Sequence, residues 1–364
     1  MAKDDTGKKR APQITRRPPV GASPGTLIAD PAARRSELRL TLISPQKYQT
    51  IDNASIDDLN THCEKWPVVW LDCTGLANIP LIEEIGRVFN LHPLALEDVV
   101  NTGQRPKVDF FEDHAFVVMR MIDDITSHRY EQIALFFGGN FVVTFQEREG
   151  DPFDPVRRRI AASLPNRLRS RAADYLAYAL IDAIVDSYFP PVEAASEMVD
   201  GIEDEMLNRP HKQQMRQLHE LRRDASVLKG VLWPMRDALA TLIRNEVPFV
   251  KAETKIFFND TLDHSLRLIE LVENQRDMLT GLIEMHLSLT QAHTNDVISY
   301  LTIVSVIFMP LTFLVGVWGM NFDPESSPWN MPELKAYYGY PASLVFMALV
   351  AVGLIAFFKW KKWL

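Results

Sequence analysis

The chain has 364 residues, 24% of them charged, with a formal net charge of −8. This length admits two or three domains, and no nucleic-acid partner is expected of so acidic a balance. The charge is uneven, because residues 297–322 hold 26 positions without a charged side chain and residues 336–358 hold 23 more, which excludes a wholly soluble protein.

Residues 1–36 are rich in Pro, Gly and Arg, with eight Lys and Arg against three Asp and no apolar signal-peptide core. They are expected to be a disordered basic tail, with contact to an anionic lipid surface as the alternative. Residues 37–165 alternate short strand-like runs (LRLTLIS, PVVWLDC, AFVVMRM, QIALFF) with the helical segments NIPLIEEIGRVFN and HPLALEDVVN. FFGGNFVVTFQ predicts a hairpin turning at Gly138-Gly139. An α+β or α/β domain with its own core follows. Strand signals stop after Asp154, and residues 166–251 form a helical region. Within it, RAADYLAYALIDAIVDSYF predicts a buried helix, residues 193–207 a solvated acidic face, and Lys212 to Arg244 a second long helix.

No proline occurs between Pro248 and Pro310, and Leu262, Leu266, Ile269 and Val272 recur at helical spacing. One continuous helix of roughly 100 Å is predicted from about Ala252 to Val317. Residues 252–295 are its cytoplasmic stalk and 296–318 a first transmembrane span. A loop at 319–341, a second span at 342–358 and a basic end at 359–364 complete the chain. The loop carries Asp323, Glu325 and Glu333 against Lys335, whereas Lys359, Lys361 and Lys362 follow the second span beside Trp360 and Trp363. By the positive-inside rule both termini are cytoplasmic and the loop faces out, in a bacterial inner membrane. Cys63 and Cys73, without a CxxC or a nearby His pair, read as plain thiols.

Asn295, Thr302, Ser305, Met309, Thr312 and Gly316 share one face of the first span, and the stripe ends at Asn321. Two readings stay open at this level: close helix packing, for which small and hydroxylic residues serve, or the lining of a pore. Gly319-Met320-Asn321 likewise reads as a helix C-terminus supplied with left-handed conformers. It also offers neutral carbonyl oxygens that would hold hydrated Mg²⁺ through its waters.

TIVSVIFMPLTFLVGVWGMNF, then MPEL, then YGYP and a basic terminus, closely resembles the CorA family of magnesium channels. Upstream, LHPLALEDVVNTGQRPKVDFFEDHAFVVMRM, WPMRDAL and FFNDTLDHSLRLIELVE share that look, so the resemblance runs from about residue 37 to the end. It implies a funnel-shaped homopentamer: an α+β cytoplasmic domain, a long-helix stalk and two C-terminal transmembrane helices, the first lining the pore. Mg²⁺ would be both cargo and regulator. Gly319, Met320 and Asn321 would form the selectivity loop. Asn295, Ile298, Leu301, Thr302, Ser305, Met309, Thr312 and Gly316 would line the pore, with Leu301 and Met309 as hydrophobic constrictions. Asp98 and Asp260 match the acidic pair that bridges neighbouring subunits through Mg²⁺, with Glu97 beside them. Trp318 replaces a common tyrosine, and the insert DPESSPWN after Phe322 is longer than relatives carry.

Within transport, Zn²⁺ is the rival cargo, since His286 and His293 lie seven apart on one stalk face. Co²⁺ and Ni²⁺ are secondary substrates by their similar hexahydrates. A membrane-anchored scaffold or sensor is the alternative from another class. No G-x-S-x-G or P-loop occurs, and an enzyme is not expected.

Overall fold

The computed structural model describes residues 21, 23–28, 30, 32–124, 129–162, 166–208, 211–323, 325–327, 329–332 and 336–363. Most of the basic tail therefore lies outside the described residues, as do Pro324, Pro328, Glu333 and Lys335 of the loop. The chain divides into two compact units, the first Met1–Leu207 with His211–Leu282, the second Asn208–Pro210 with Ile283–Leu364.

The first unit is built on strands β1 (Glu37–Ile43), β2 (Tyr48–Asp52), β3 (Val68–Thr74), β4 (Lys107–Phe110), β5 (His114–Asp124), β6 (Arg129–Gly138) and β7 (Phe141–Gln146). They form one seven-stranded sheet in the order β2-β1-β3-β7-β6-β5-β4. Only the β3–β7 pair is parallel, and β6–β7 is the hairpin expected at Gly138-Gly139. Strands β1, β3, β5, β6 and β7 supply apolar residues to both sides because both sides are covered. Along β5, Ala115, Val117, Met119 and Met121 enter one core, and Phe116 and Val118 enter the other.

Helices α1 (Ile56–His62), α2 (Ile79–Val88) and α3 (Pro93–Val100) supply residues to the second of these cores. Helices α4 (Asp154–Ala161), α5 (Arg167–Ser170), α6 (Ala173–Asp186), α7 (Phe189–Asn208) and α8 (Lys212–Arg244) supply the first, with the start of α9 (Ala252–Trp318). Helix α6 is buried on most of its surface, as its largely apolar sequence requires. Helix α8 brings one stripe, Ala225, Leu228, Leu232, Met235, Leu239 and Leu242, against that core. Its bounds, and the 67-residue span of α9, match the helices expected from the sequence. Two short polar strands, β2 and β4, and helix α1 are additions to that expectation. Both cysteines are free thiols, and burial pushes Cys63 up to about 11 and Cys73 further.

In the second unit, the C-terminal part of α9 and helix α10 (Gly339–Trp360) are each long and apolar enough to cross a bilayer, and little of either window is buried inside the chain. Helix α10 extends beyond the expected span at both ends.

Candidate functional site

Along α9, at about 100° per residue, Asn295, Ile298, Leu301, Thr302, Ser305, Met309, Thr312 and Gly316 fall within an arc of about 120°. All eight are exposed. The opposite face is sheltered: Ile303 is buried, and Ile307, Leu311, Leu314 and Val317 are half-buried at the same helical rhythm. Helix α10 shows a matching stripe, with Ser343, Met347, Val350, Ala351 and Leu354 half-buried and Phe358 buried. The Trp318 and Phe346 rings meet edge-on at 6.2 Å between the two helices. The polar stripe thus lies on the side of α9 that α10 leaves uncovered. A Cβ added at Gly316 meets nothing within 4 Å, so nothing inside one chain requires glycine there.

Two hydroxyls on this face point their hydrogens inward. Thr302 Oγ1 donates to the Ile298 carbonyl at 2.7 Å and Ser305 Oγ to the Leu301 carbonyl at 2.8 Å. With the hydrogen so engaged, each oxygen presents lone pairs outward. Such a surface accepts hydrogen bonds from the waters of a hydrated cation.

Helix α9 ends at Trp318, followed by bonds from the Gly319 amide to the Val315 carbonyl (2.9 Å) and from the Met320 amide to the Val317 carbonyl (3.2 Å). Neither Gly319 nor Asn321 is among the residues with positive φ, which corrects the expectation that they supply left-handed conformers. Glycine matters at 319 for a different reason: a Cβ would stand 3.0 Å from the Val315 carbonyl oxygen. The turn tightens onto the helix end, and a side chain at 319 would press on that carbonyl. Beyond it, the Asp323 carbonyl accepts from Ser326 Oγ (2.9 Å) and Asn330 Nδ2 (2.8 Å), and its carboxylate accepts the Glu325 amide (3.0 Å).

The expected acidic sensor residues sit in the first unit. Asp98, on α3, has its Oδ2 2.7 Å from Lys107 Nζ, and the same ammonium is 2.5 Å from Asp109 Oδ2. Burial alone pulls the Lys107 ammonium down, but hydrogen bonds to Asp109 and Asp98 outweigh it and hold its pKa above the ordinary value. The Asp98 carbonyl accepts from Gln132 Nε2 at 2.8 Å, while Gln132 Oε1 receives the Gly103 and Gln104 amides. This clamp fixes the C-terminal end of α3 to β6. Glu97 Oε2 accepts the Gly25 amide at 2.6 Å. Asp260 is exposed on α9, and no hydrogen bond or ion pair joins it to Asp98 among the described residues.

Four residues beyond Asp260, on the same face of α9, His264 approaches α6. Its Nδ1 lies 3.1 Å from Asp186 Oδ1 and 3.9 Å from Asp182 Oδ1, and one donor atom from each of the three residues falls within 4.8 Å of the others. Burial raises the Asp182 pKa, and Asp186 and Asp260 add to that, while the Thr261 hydroxyl donates to its carboxylate at 2.8 Å and opposes the rise. The sequence reading missed this grouping and the Lys107–Asp98 pair, because both join residues from separate elements. The signal available was Asp182 and Asp186 at helical spacing within an otherwise apolar helix. The stalk histidines do not join a metal-type cluster among the described residues: His286 is buried and His293 exposed.

A family model described as CorA-like Mg²⁺ transporter protein matches residues 67–361. The cobalt/magnesium transport protein CorA of Thermotoga maritima is 38% identical over 350 residues, covering 94% of this chain and 97% of that protein. The complete structure of the CorA magnesium transporter from Methanocaldococcus jannaschii aligns with a TM-score of 0.75 at 20% identity, over 90% of this chain and 98% of that one. With its mixed sheet, its long helix and its two apolar spans, the chain belongs to the CorA family.

Proposed function

We propose that this protein is a Mg²⁺ channel, a funnel-shaped homopentamer in a bacterial inner membrane with both termini cytoplasmic. Five copies of the first span surround the pore, and Gly319, Met320 and Asn321 form its outer selectivity turn. The observation that supports this most directly is the polar stripe on the face of α9 that α10 leaves free. Leu301 and Met309, exposed on that face, are its hydrophobic constrictions. Mg²⁺ releases its waters reluctantly, so outward lone pairs and the Asn321 amide suit a hydrated ion better than carboxylates, which would hold it too long.

Cytosolic Mg²⁺ closes the channel by binding between Asp98 of one subunit and Asp260 of the next, with Glu97 contributing. Filled sites neutralise facing carboxylates and favour the closed state; emptied ones repel and loosen the ring. Entry is driven by the inside-negative potential, about 4.6 kcal/mol per divalent ion at 100 mV. Co²⁺ and Ni²⁺ are secondary substrates. The test is Mg²⁺ and Zn²⁺ uptake into liposomes holding the purified protein or its Asn321→Ala variant. Mg²⁺ flux that the variant loses is expected. Zn²⁺ flux without Mg²⁺ flux would replace the cargo, and no flux at all would leave a membrane-anchored scaffold.

A further inference from the structure

The Lys107 ammonium lies between two carboxylates, 2.7 Å from Asp98 and 2.5 Å from Asp109. Its stem rises from β4, and its Nζ sits 5.5 Å above the Phe116 ring, which helps to fix its position. Asp109 is two residues along the same strand, so Lys107 and Asp109 project from one face of β4. With Glu97 and Asp98 of α3 they line an open cleft of about 530 Å³. We infer that Lys107 is a tethered competitor of the regulatory Mg²⁺: its ammonium holds Oδ2 of the Asp98 carboxylate, so a divalent ion binding there must displace it or take Oδ1 beside a fixed positive charge.

The inference rests on Asp98 being a sensor ligand, and it explains how such a ligand is tuned. Mg²⁺ approaches a carboxylate through a near-octahedral shell of oxygens, and the ammonium takes one of the two Asp98 oxygens while its charge lowers the attraction of the other. Both cations cannot hold one carboxylate without strong repulsion. When Mg²⁺ arrives, Asp109 retains the displaced ammonium, so the exchange strands no charge. Glu97 keeps Oε1 for its own contribution, because only its Oε2 accepts the Gly25 amide. The sensor therefore fills at a higher free Mg²⁺ concentration than its carboxylates alone would set.

The two partners of Lys107 give opposite expectations. In the full-length purified protein, protection from limited proteolysis is followed against added Mg²⁺. Lys107→Met is expected to lower the midpoint about two- to fivefold, the upper part of the range for a partly exposed ion pair. Asp109→Asn removes the second holder, leaves the ammonium on Asp98, and raises the midpoint. Lys107→Arg keeps the competitor and restores the wild-type response to within twofold. In an Asp98→Asn background, Lys107→Met changes nothing further. A merely structural role for the triad would shift both Lys107→Met and Asp109→Asn in the same direction, and that result overturns the inference. A Lys107→Met midpoint equal to wild type, with Asp98→Asn still impaired, overturns it while leaving the sensor reading intact. An unimpaired Asp98→Asn protein removes the sensor reading itself.

Discussion

Phe308 and Met309 are neighbours at the middle of the uncharged segment, 61% and 70% exposed in the chain, and both are large and apolar. What separates them is about 100° of helix rotation. Met309 falls on the polar stripe with Thr302, Ser305 and Gly316, while Phe308 falls on the flank with Val304 and Val315. Aspartate at each position therefore meets a different medium. On the flank, Phe308→Asp puts a carboxylate into hydrocarbon near the bilayer centre, at about 2.5–3.5 kcal/mol per subunit. That is a roughly 70- to 400-fold loss in the inserted fraction at each chain. Under the proposed pore lining, Met309→Asp faces water and its own copies, so a much smaller loss of inserted, assembled protein is expected. The proposed apolar constriction is removed, and a cation leak even at high internal Mg²⁺ is the expected result. The assay measures carbonate-resistant membrane protein, oligomer size in detergent, and ion uptake into liposomes for both variants. Equal insertion loss in the two, or a Phe308→Asp protein that assembles and conducts normally, would refute the assignment of the stripe to the lumen.

Two further predictions concern the first unit. Arg157 bonds Asp72 and Asp151 at 2.6 Å, and both carboxylates are 6% exposed. Arg157→Met leaves them without a buried cation and should cost about 3–5 kcal/mol. The expected fall in melting temperature is roughly 6–20 °C by calorimetry, recovered in part by adding Asp72→Asn; a fall under about 2 °C would contradict the account. Glu131 is 4% exposed and burial raises its pKa from 4.5 to about 7. The folded state then keeps a proton that the unfolded state has lost, so stability declines as pH rises from about 4.5 through 7, by about 3 kcal/mol in total. Glu131→Gln should flatten that decline in a series of denaturant midpoints against pH, and an unchanged slope would reject the cause.

The long elements were legible because their signals are long. Helix α8 and helix α9 each sustain apolar spacing over many turns, and the hairpin at Gly138-Gly139 lies between two apolar strands. Strands β2 and β4 escaped because YQTID and KVDF are short edge strands whose polar members break any apolar run. The stripe on α9 was legible by counting residues. Which of its faces is free was not, since that depends on where α10 packs. At Gly319 the residue type was informative and the presumed reason was not: the constraint is the nearby Val315 carbonyl rather than backbone handedness. Asp98 looked like an available ligand because its partner, Lys107, comes from a strand that the sequence reading did not contain.

The self-contained hydroxyls of α9 also bear on how such a protein is made. Thr290, Thr294, Thr302 and Ser305 each donate to the carbonyl four residues earlier in their own helix, at 2.7–2.9 Å. Thr302 and Ser305 lie within the first span, and neither donor there waits for a neighbouring helix. At these two positions, burial in lipid or against another helix alike leaves no hydroxyl hydrogen without an acceptor.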